Sequence, residues 1–214
     1  MEQSEPVPPH LVLTIPDSYA DSAVEEVLAD FDLPESFIKV RKQEQAMYAA
    51  FEWTVPTLFA VYLGKTVLDA VLKETVKELT PKLLAGVKAL AVRCKQMNIR
   101  WLTAGESSEK LSRNYHQSAA FSVVVQTQSG RTLKMLFDEE LSAADWEDAI
   151  DGLLATVAAN YQQYPDDELS QAPINAATKP NALLYVVYNR ELKVWETHND
   201  QTLLALQRKP QASQ

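Results

Sequence analysis

Apolar positions recur along the chain at two spacings. Leu11 to Ile15 is a short apolar run that Pro16 stops, which predicts a strand. Ala20, Val24, Val27, Leu28 and Phe31 then fall at helical spacing, so a helix capped by Asp17 or Ser18 is expected to reach about Phe31. Phe37 to Arg41 alternates as a second strand does. Thr54 followed by Pro56 reads as a helix start, because the hydroxyl caps and the proline sits where no N–H is needed; this helix is expected to run to Leu79. Thr80 and Pro81 break it. A further helix to Met97 carries Leu83, Leu84, Val87, Leu90, Cys94 and Met97 on one face. Ile99 to Leu102 reads as a strand, and the polar run from Thr103 to Ser118 as a long loop or a junction between halves.

In the second half, Phe121 to Thr127 and Arg131 to Phe137 read as a β-hairpin. A two-residue loop would pair Val125 with Lys134 and mix charge into the apolar face. A three-residue loop, Gln128 to Gly130, pairs Val125 with Leu133, Val123 with Met135 and Phe121 with Phe137, and puts Gly130 at the left-handed position such loops require. Ser142 with Asp145 makes a capping-box variant opening a helix with Trp146, Ile150, Leu153, Val157 and Tyr161 inward, ending near Tyr164 and Pro165. Leu183 to Tyr188 and Leu192 to Thr197 read as a second hairpin, and Asn199 or Asp200 as the cap of a short helix through Leu206.

The expected fold class is therefore α+β: antiparallel β-hairpins packed with amphipathic helices, with an N-terminal βαβ-like unit followed by a long helical segment. The expected organisation is a tail over 1–9, an N-terminal half over 10–103, a C-terminal ββαββ half over 119–208 and a tail over 209–214, with one continuous domain left open. The order from about residue 81, helix, three strands, helix, two strands, helix, resembles in architecture the small acidic secretion chaperones of bacteria. That resemblance covers the second half alone and implies dimerisation and binding of an unfolded partner segment.

Composition narrows the function classes. The 214 residues are 46% hydrophobic and 23% charged, ordinary for a globular chain that buries its own core. The five glycines are far apart, so neither a dinucleotide fingerprint nor a P-loop can form in its usual form. His10, His116, His198 and Cys94 include no pair at metal-ligand spacing, so no metal and no cofactor is expected. The lone Cys94 falls in the apolar phase of its helix, as a small buried thiol does. The N-terminus has acids where a secretory signal needs bases, which makes the cytoplasm the expected location. Val55 to Leu72 is the most apolar stretch, but Lys65 and Asp69 interrupt it and stable membrane insertion is not expected.

The formal net charge of −9 is unevenly distributed. Residues 1–38 hold nine acids and no base, residues 39–131 fourteen bases and seven acids, and residues 132–170 ten acids and one base. The basic stretch, Lys82, Lys88, Arg93, Lys95, Arg100, Lys110 and Arg113, reads as a helix face beside acidic neighbours rather than a nucleic-acid surface. The helix dipole stabilises acids in a first turn by about 0.3–1 kcal/mol each. That accounts for some of Asp145, Glu147, Asp148 and Asp151, but not for Asp138, Glu139 and Glu140 just upstream. These seven acids are the candidate protein-binding patch, aimed at a partner with a basic surface.

Two catalytic constellations compete with that reading. Asp166, Glu191 and Lys193 supply the letters of a metal-dependent nuclease, with carboxylates for Mg²⁺ and a lysine for the attacking water. Ser112, Tyr115 and His116 bring a hydroxyl and a base close in sequence, without a nucleophile elbow. Trp53, Trp101, Trp146 and Trp195 sit where core packing accounts for them. The expected function is a non-catalytic protein-binding module, as an inhibitor, immunity-type protein, chaperone or adaptor, with a homodimer left open. The alternatives are a metal-dependent hydrolase or nuclease using Asp166, Glu191 and Lys193, and a peripheral membrane protein acting through 55–72.

Overall fold

The computed structural model describes residues 11–29, 31–33, 38–43, 57–63, 79–97, 117–171 and 184–198. In chain order they form β1 (Leu11–Pro16), α1 (Asp21–Leu28), β2 (Ile38–Gln43), β3 (Phe59–Leu63), α2 (Leu79–Gln96), β4 (Gln117–Gln126), β5 (Thr132–Asp138), α3 (Ala143–Gln163), α4 (Glu168–Gln171), β6 (Leu184–Asn189) and β7 (Val194–His198). The architecture is mixed α and β, built on one seven-stranded sheet in the order β2-β1-β3-β4-β5-β6-β7.

The sheet is mixed, with parallel and antiparallel pairs. β1–β2, β3–β4 and β5–β6 pair in parallel; β1–β3, β4–β5 and β6–β7 pair antiparallel. The expected helix from Thr54 to Leu79 is replaced over Phe59–Leu63 by the interior strand β3, bonded to β1 on one side and β4 on the other. Phe59, Ala60, Val61 and Leu63 are all buried. An interior strand whose residues are apolar on both faces shows no polar alternation, even where Tyr62 is exposed, so its apolar run mimics a buried helix. The phenylalanine, valine and tyrosine within it and Gly64 directly after it were the available signals. No described helix is long and apolar enough to cross a membrane.

Between β4 and β5, Val125 faces Leu133 and Val123 faces Met135, and Gly130 sits at φ 82° with its N–H donating to the Thr127 carbonyl. Phe121 and Phe137 meet with ring centroids 5.1 Å apart, although the backbone register shifts between Gln117 and Ser122. Gln117 and Ser118, expected in a loop, begin β4. α1 starts later than its expected cap: Ala20 is its N-cap, without a side-chain bond, because Asp17 and Ser18 lie in a turn that the Tyr19 N–H closes onto the Pro16 carbonyl. At α3 the capping box forms as read, the Ser142 hydroxyl accepting from the Asp145 N–H and the Asp145 carboxylate from the Ser142 N–H. The expected strand at 99–102, the 54–58 helix start apart from Thr57 and Leu58, and the helix from 199 to 206 lie outside the described residues.

The core sits on one face of the sheet. Leu11, Leu13 and Ile15 of β1, Phe59, Val61 and Leu63 of β3, and Phe121, Val123 and Val125 of β4 share it with Leu133, Met135 and Phe137 of β5. Against them pack Val24 and Val27 of α1, Leu83, Val87, Leu90 and Cys94 of α2, and Trp146, Ile150, Leu153 and Val157 of α3. The three helices thus form one layer over one face. Trp146, fully buried, stacks on Phe121 at 6.3 Å, meets the tilted Phe137 ring at 5.1 Å and donates its Nε1–H to the Asp138 carbonyl, fixing the start of α3 under β5.

Candidate functional site

The helix layer gives the segregated charge a physical role. α2, the basic element, reaches residues on both sides: Lys82 pairs with Asp32 at 2.6 Å and Arg93 with Glu26 at 3.7 Å, while Lys88 pairs with Asp151 of α3 at 2.5 Å. Lys95 donates to the Glu139 carbonyl at 3.1 Å with its ammonium 5.0 Å from the centre of the Trp146 ring. An acidic, a basic and an acidic stretch of sequence thus become acidic, basic and acidic elements in contact. Lys42 and Asp21 add a pair linking β2 to α1.

Each of the seven acids of the candidate patch can be placed. Asp138 ends β5, and its Oδ1 accepts the Glu140 N–H at 2.7 Å. Glu139 contributes its carbonyl to Lys95, and Glu140 is exposed in the turn. Asp145 closes the capping box; the bonds from the Ser142 hydroxyl and N–H hold its carboxyl below the ordinary carboxylate range. Glu147 is exposed on the outer side of α3. Asp148 binds Lys193 at 3.0 Å, and this bond and charge raise the Lys193 pKa. Asp151 takes Lys88. The fold brings the seven together around the end of β5 and the first turns of α3, where the carboxylates of Asp138, Asp145, Asp148 and Asp151 hold a turn, a cap and two ion pairs.

The β6–β7 turn lies against this region. Asn189 Oδ1 accepts the N–H groups of Glu191 and Leu192 at 3.0 and 3.1 Å, its amide donates to Glu196, and Lys193 takes a positive φ of 54°. The turn holds Leu192 outward, 65% exposed, beside the Asp148–Lys193 pair.

The nuclease letters do not converge. Lys193 is tied to Asp148 near the start of α3, whereas Asp166 follows its end, its N–H on the Gln163 carbonyl. The intervening helix is about 15 residues, roughly 22 Å. Glu191 is exposed in the β6–β7 turn, and among the described residues no group of three or more metal-ligating side chains occurs. Ser112, Tyr115, His116, Trp53, Trp101 and His10 lie outside the described residues; Trp195 is buried beside Tyr188 and Phe137.

The second face of the sheet holds what sequence reasoning missed. Register aligns Lys39, Val12, Tyr62, Val124, Lys134, Tyr185 and His198 in one row across all seven strands. Lys134 is fully buried there and Tyr185 nearly so, while Thr57 and Ser122 share a buried hydroxyl bond of 2.7 Å one row away. Burial lowers the His198 pKa despite Glu196 beside it. A lysine in the polar phase of a strand normally marks a solvated face, and nothing in the local sequence distinguishes Lys134 from that case. No family model, curated protein or solved structure matches the chain, so the site stands on its own geometry.

Proposed function

We propose that the chain is a non-catalytic, cytoplasmic protein-binding module that meets a basic partner through the start of α3 and the turns beside it, in the manner of an inhibitor, immunity-type protein, chaperone or adaptor. The observation that supports this reading is the gathering of Asp138, Glu139, Glu140, Asp145, Glu147, Asp148 and Asp151 around the end of β5 and the first turns of α3, backed by the capping box and the buried Trp146. A preorganised acidic surface steers a basic partner and raises its association rate at low salt. The exposed Leu192 offers an apolar contact next to it.

The internal ion pairs decide which residues test the idea. Reversing Asp148 or Asp151 would also break a bond to Lys193 or Lys88, so the test variant is Glu140→Lys with Glu147→Lys, which leaves both of those bonds in place. A partner is isolated from native lysate at low and high salt, and its association rate is measured against both proteins. The double variant should associate roughly tenfold more slowly at low salt and converge with the parent at high salt. Glu25→Lys on α1 is the control and should leave the rate unchanged. A folded double variant with an unchanged association rate and salt slope removes the patch from the interface.

A further inference from the structure

The far end of α3 carries a buried charge that the binding reading does not use. Asp167 follows the helix and is 2% exposed. Its Oδ1 accepts from Asn160 Nδ2 at 2.9 Å and from the Ser170 N–H at 3.1 Å, and Asn160, itself buried, accepts the Gln128 N–H from the β4–β5 loop. Burial works to raise the Asp167 pKa, but the bonds from Ser170 and Asn160 outweigh it and the pKa is lowered. The carboxylate is therefore ionised near neutral pH. Its second oxygen, Oδ2, is enclosed and has no hydrogen-bond donor among the described residues.

Among the described residues no basic side chain acts on Asp167. α3 is 21 residues long, and neither its last turn nor that of α4 contains a basic residue. A helix ends in a partial negative charge of about half an elementary unit, with its last carbonyls directed past the terminus. An enclosed carboxylate oxygen beside that end, without a donor, is electrostatically incomplete; buried charges are paired or coordinate metals.

We propose that this corner binds a monovalent metal cation, Na⁺ or K⁺, on Asp167 Oδ2, with neutral oxygens at the end of α3 as further ligands. Depth argues against a lysine from another molecule, since an ammonium on a side-chain stem would have to enter a position 2% exposed. Charge count argues against a divalent ion, because Ca²⁺ sites draw on several carboxylates and Asp167 is the only buried acid among the described side chains. Bound there, the cation ties α3, α4 and, through Asn160, the β4–β5 loop into one unit.

The test compares thermal unfolding in NaCl or KCl with choline chloride at matched ionic strength, which separates a bound ion from general screening. Raising free Na⁺ from about 10 to about 300 mM should raise the folding constant roughly 15-fold for a Kd on the order of 10 mM, a Tm rise of several degrees absent in choline. Asp167→Asn keeps the acceptor for Asn160 and Ser170 but places an amide at Oδ2; it should fold and lose the cation-specific rise, while Asp166→Asn keeps it. Thallium NMR on the unaltered protein, with Na⁺ displacing a saturable bound resonance, gives a readout independent of mutation. Equal Tm in the two salts, as a buried water at Oδ2 would give, overturns the proposal. So does a cation-specific rise that persists in Asp167→Asn.

Discussion

Reversing the bases of α2 tests whether charge segregation helps to hold the helix layer together. Lys82→Glu, Lys88→Glu and Arg93→Glu replace three attractive pairs, with Asp32, Asp151 and Glu26, by three repulsive ones. Lys88 is the least exposed of the three bases, its side chain 27% accessible, and it bridges to α3; Arg93 makes the longest contact. Exposed pairs contribute about 0.2–1 kcal/mol each, and like-charge contacts cost similar amounts. The triple variant should therefore lose roughly 1–6 kcal/mol in dilute buffer, with the Lys88 pair contributing the largest share. Urea unfolding at low ionic strength and in about 1 M salt, where the Debye length falls to about 3 Å, measures the change. The loss should shrink sharply at high salt, and combining Lys88→Asp with Asp151→Lys should recover the Lys88 share. A triple variant as stable as the parent at low salt, or a loss independent of salt, would refute the charge argument and leave apolar burial as the only cement between these helices.

Three further outcomes follow from particular residues. Gly130→Val puts a β-branched residue at φ 82° and should cost about 1 kcal/mol or more in urea unfolding, by strain alone, since nothing lies within 4 Å of the added Cβ. At Gly86 an added Cβ would overlap the Phe31 ring, within 2.8 Å of Cγ and 2.9 Å of Cε1; overpacking of about 1–3 kcal/mol against a helix-propensity gain of about 1 kcal/mol makes Gly86→Ala net destabilising in the same assay. His198 has its pKa lowered by burial from an ordinary 6.5, so the unfolded chain takes up its proton first. Its contribution to stability is present above pH 6.5 and lost as pH falls through the lower folded value; NMR titration should find that value below 6.5, and His198→Gln should flatten the stability profile there.

Local chemistry was legible where a residue's role depends on its neighbours in the chain. The Ser142–Asp145 box, the loop closed at Gly130, the inward stripe of α2 and the buried Cys94 each follow from spacing, because capping, a positive φ and helical periodicity are settled within a few residues. The segregation of charge was equally visible, but its meaning was not: only the packing of α2 between acidic elements shows that Asp151 and Glu26 have basic partners within the chain.

Long-range pairing decided the rest. The run Phe59 to Leu63 carries no period to separate helix from strand, and it is a strand because β1 and β4 supply hydrogen bonds on both edges. The nuclease letters looked joinable until α3 held Asp166 and Lys193 apart. Lys134 alternates as a solvated residue does, yet the register that sets it beside Val124 and Tyr185 also buries it. Asp167 has the sequence of an ordinary loop acid, yet in the fold it is buried and bonded to Asn160 and Ser170. A sequence sets which face of an element is apolar and where that element stops; which surfaces then meet, and which charges become buried, is a sum over contacts between residues far apart in the chain, and only the folded arrangement supplies it.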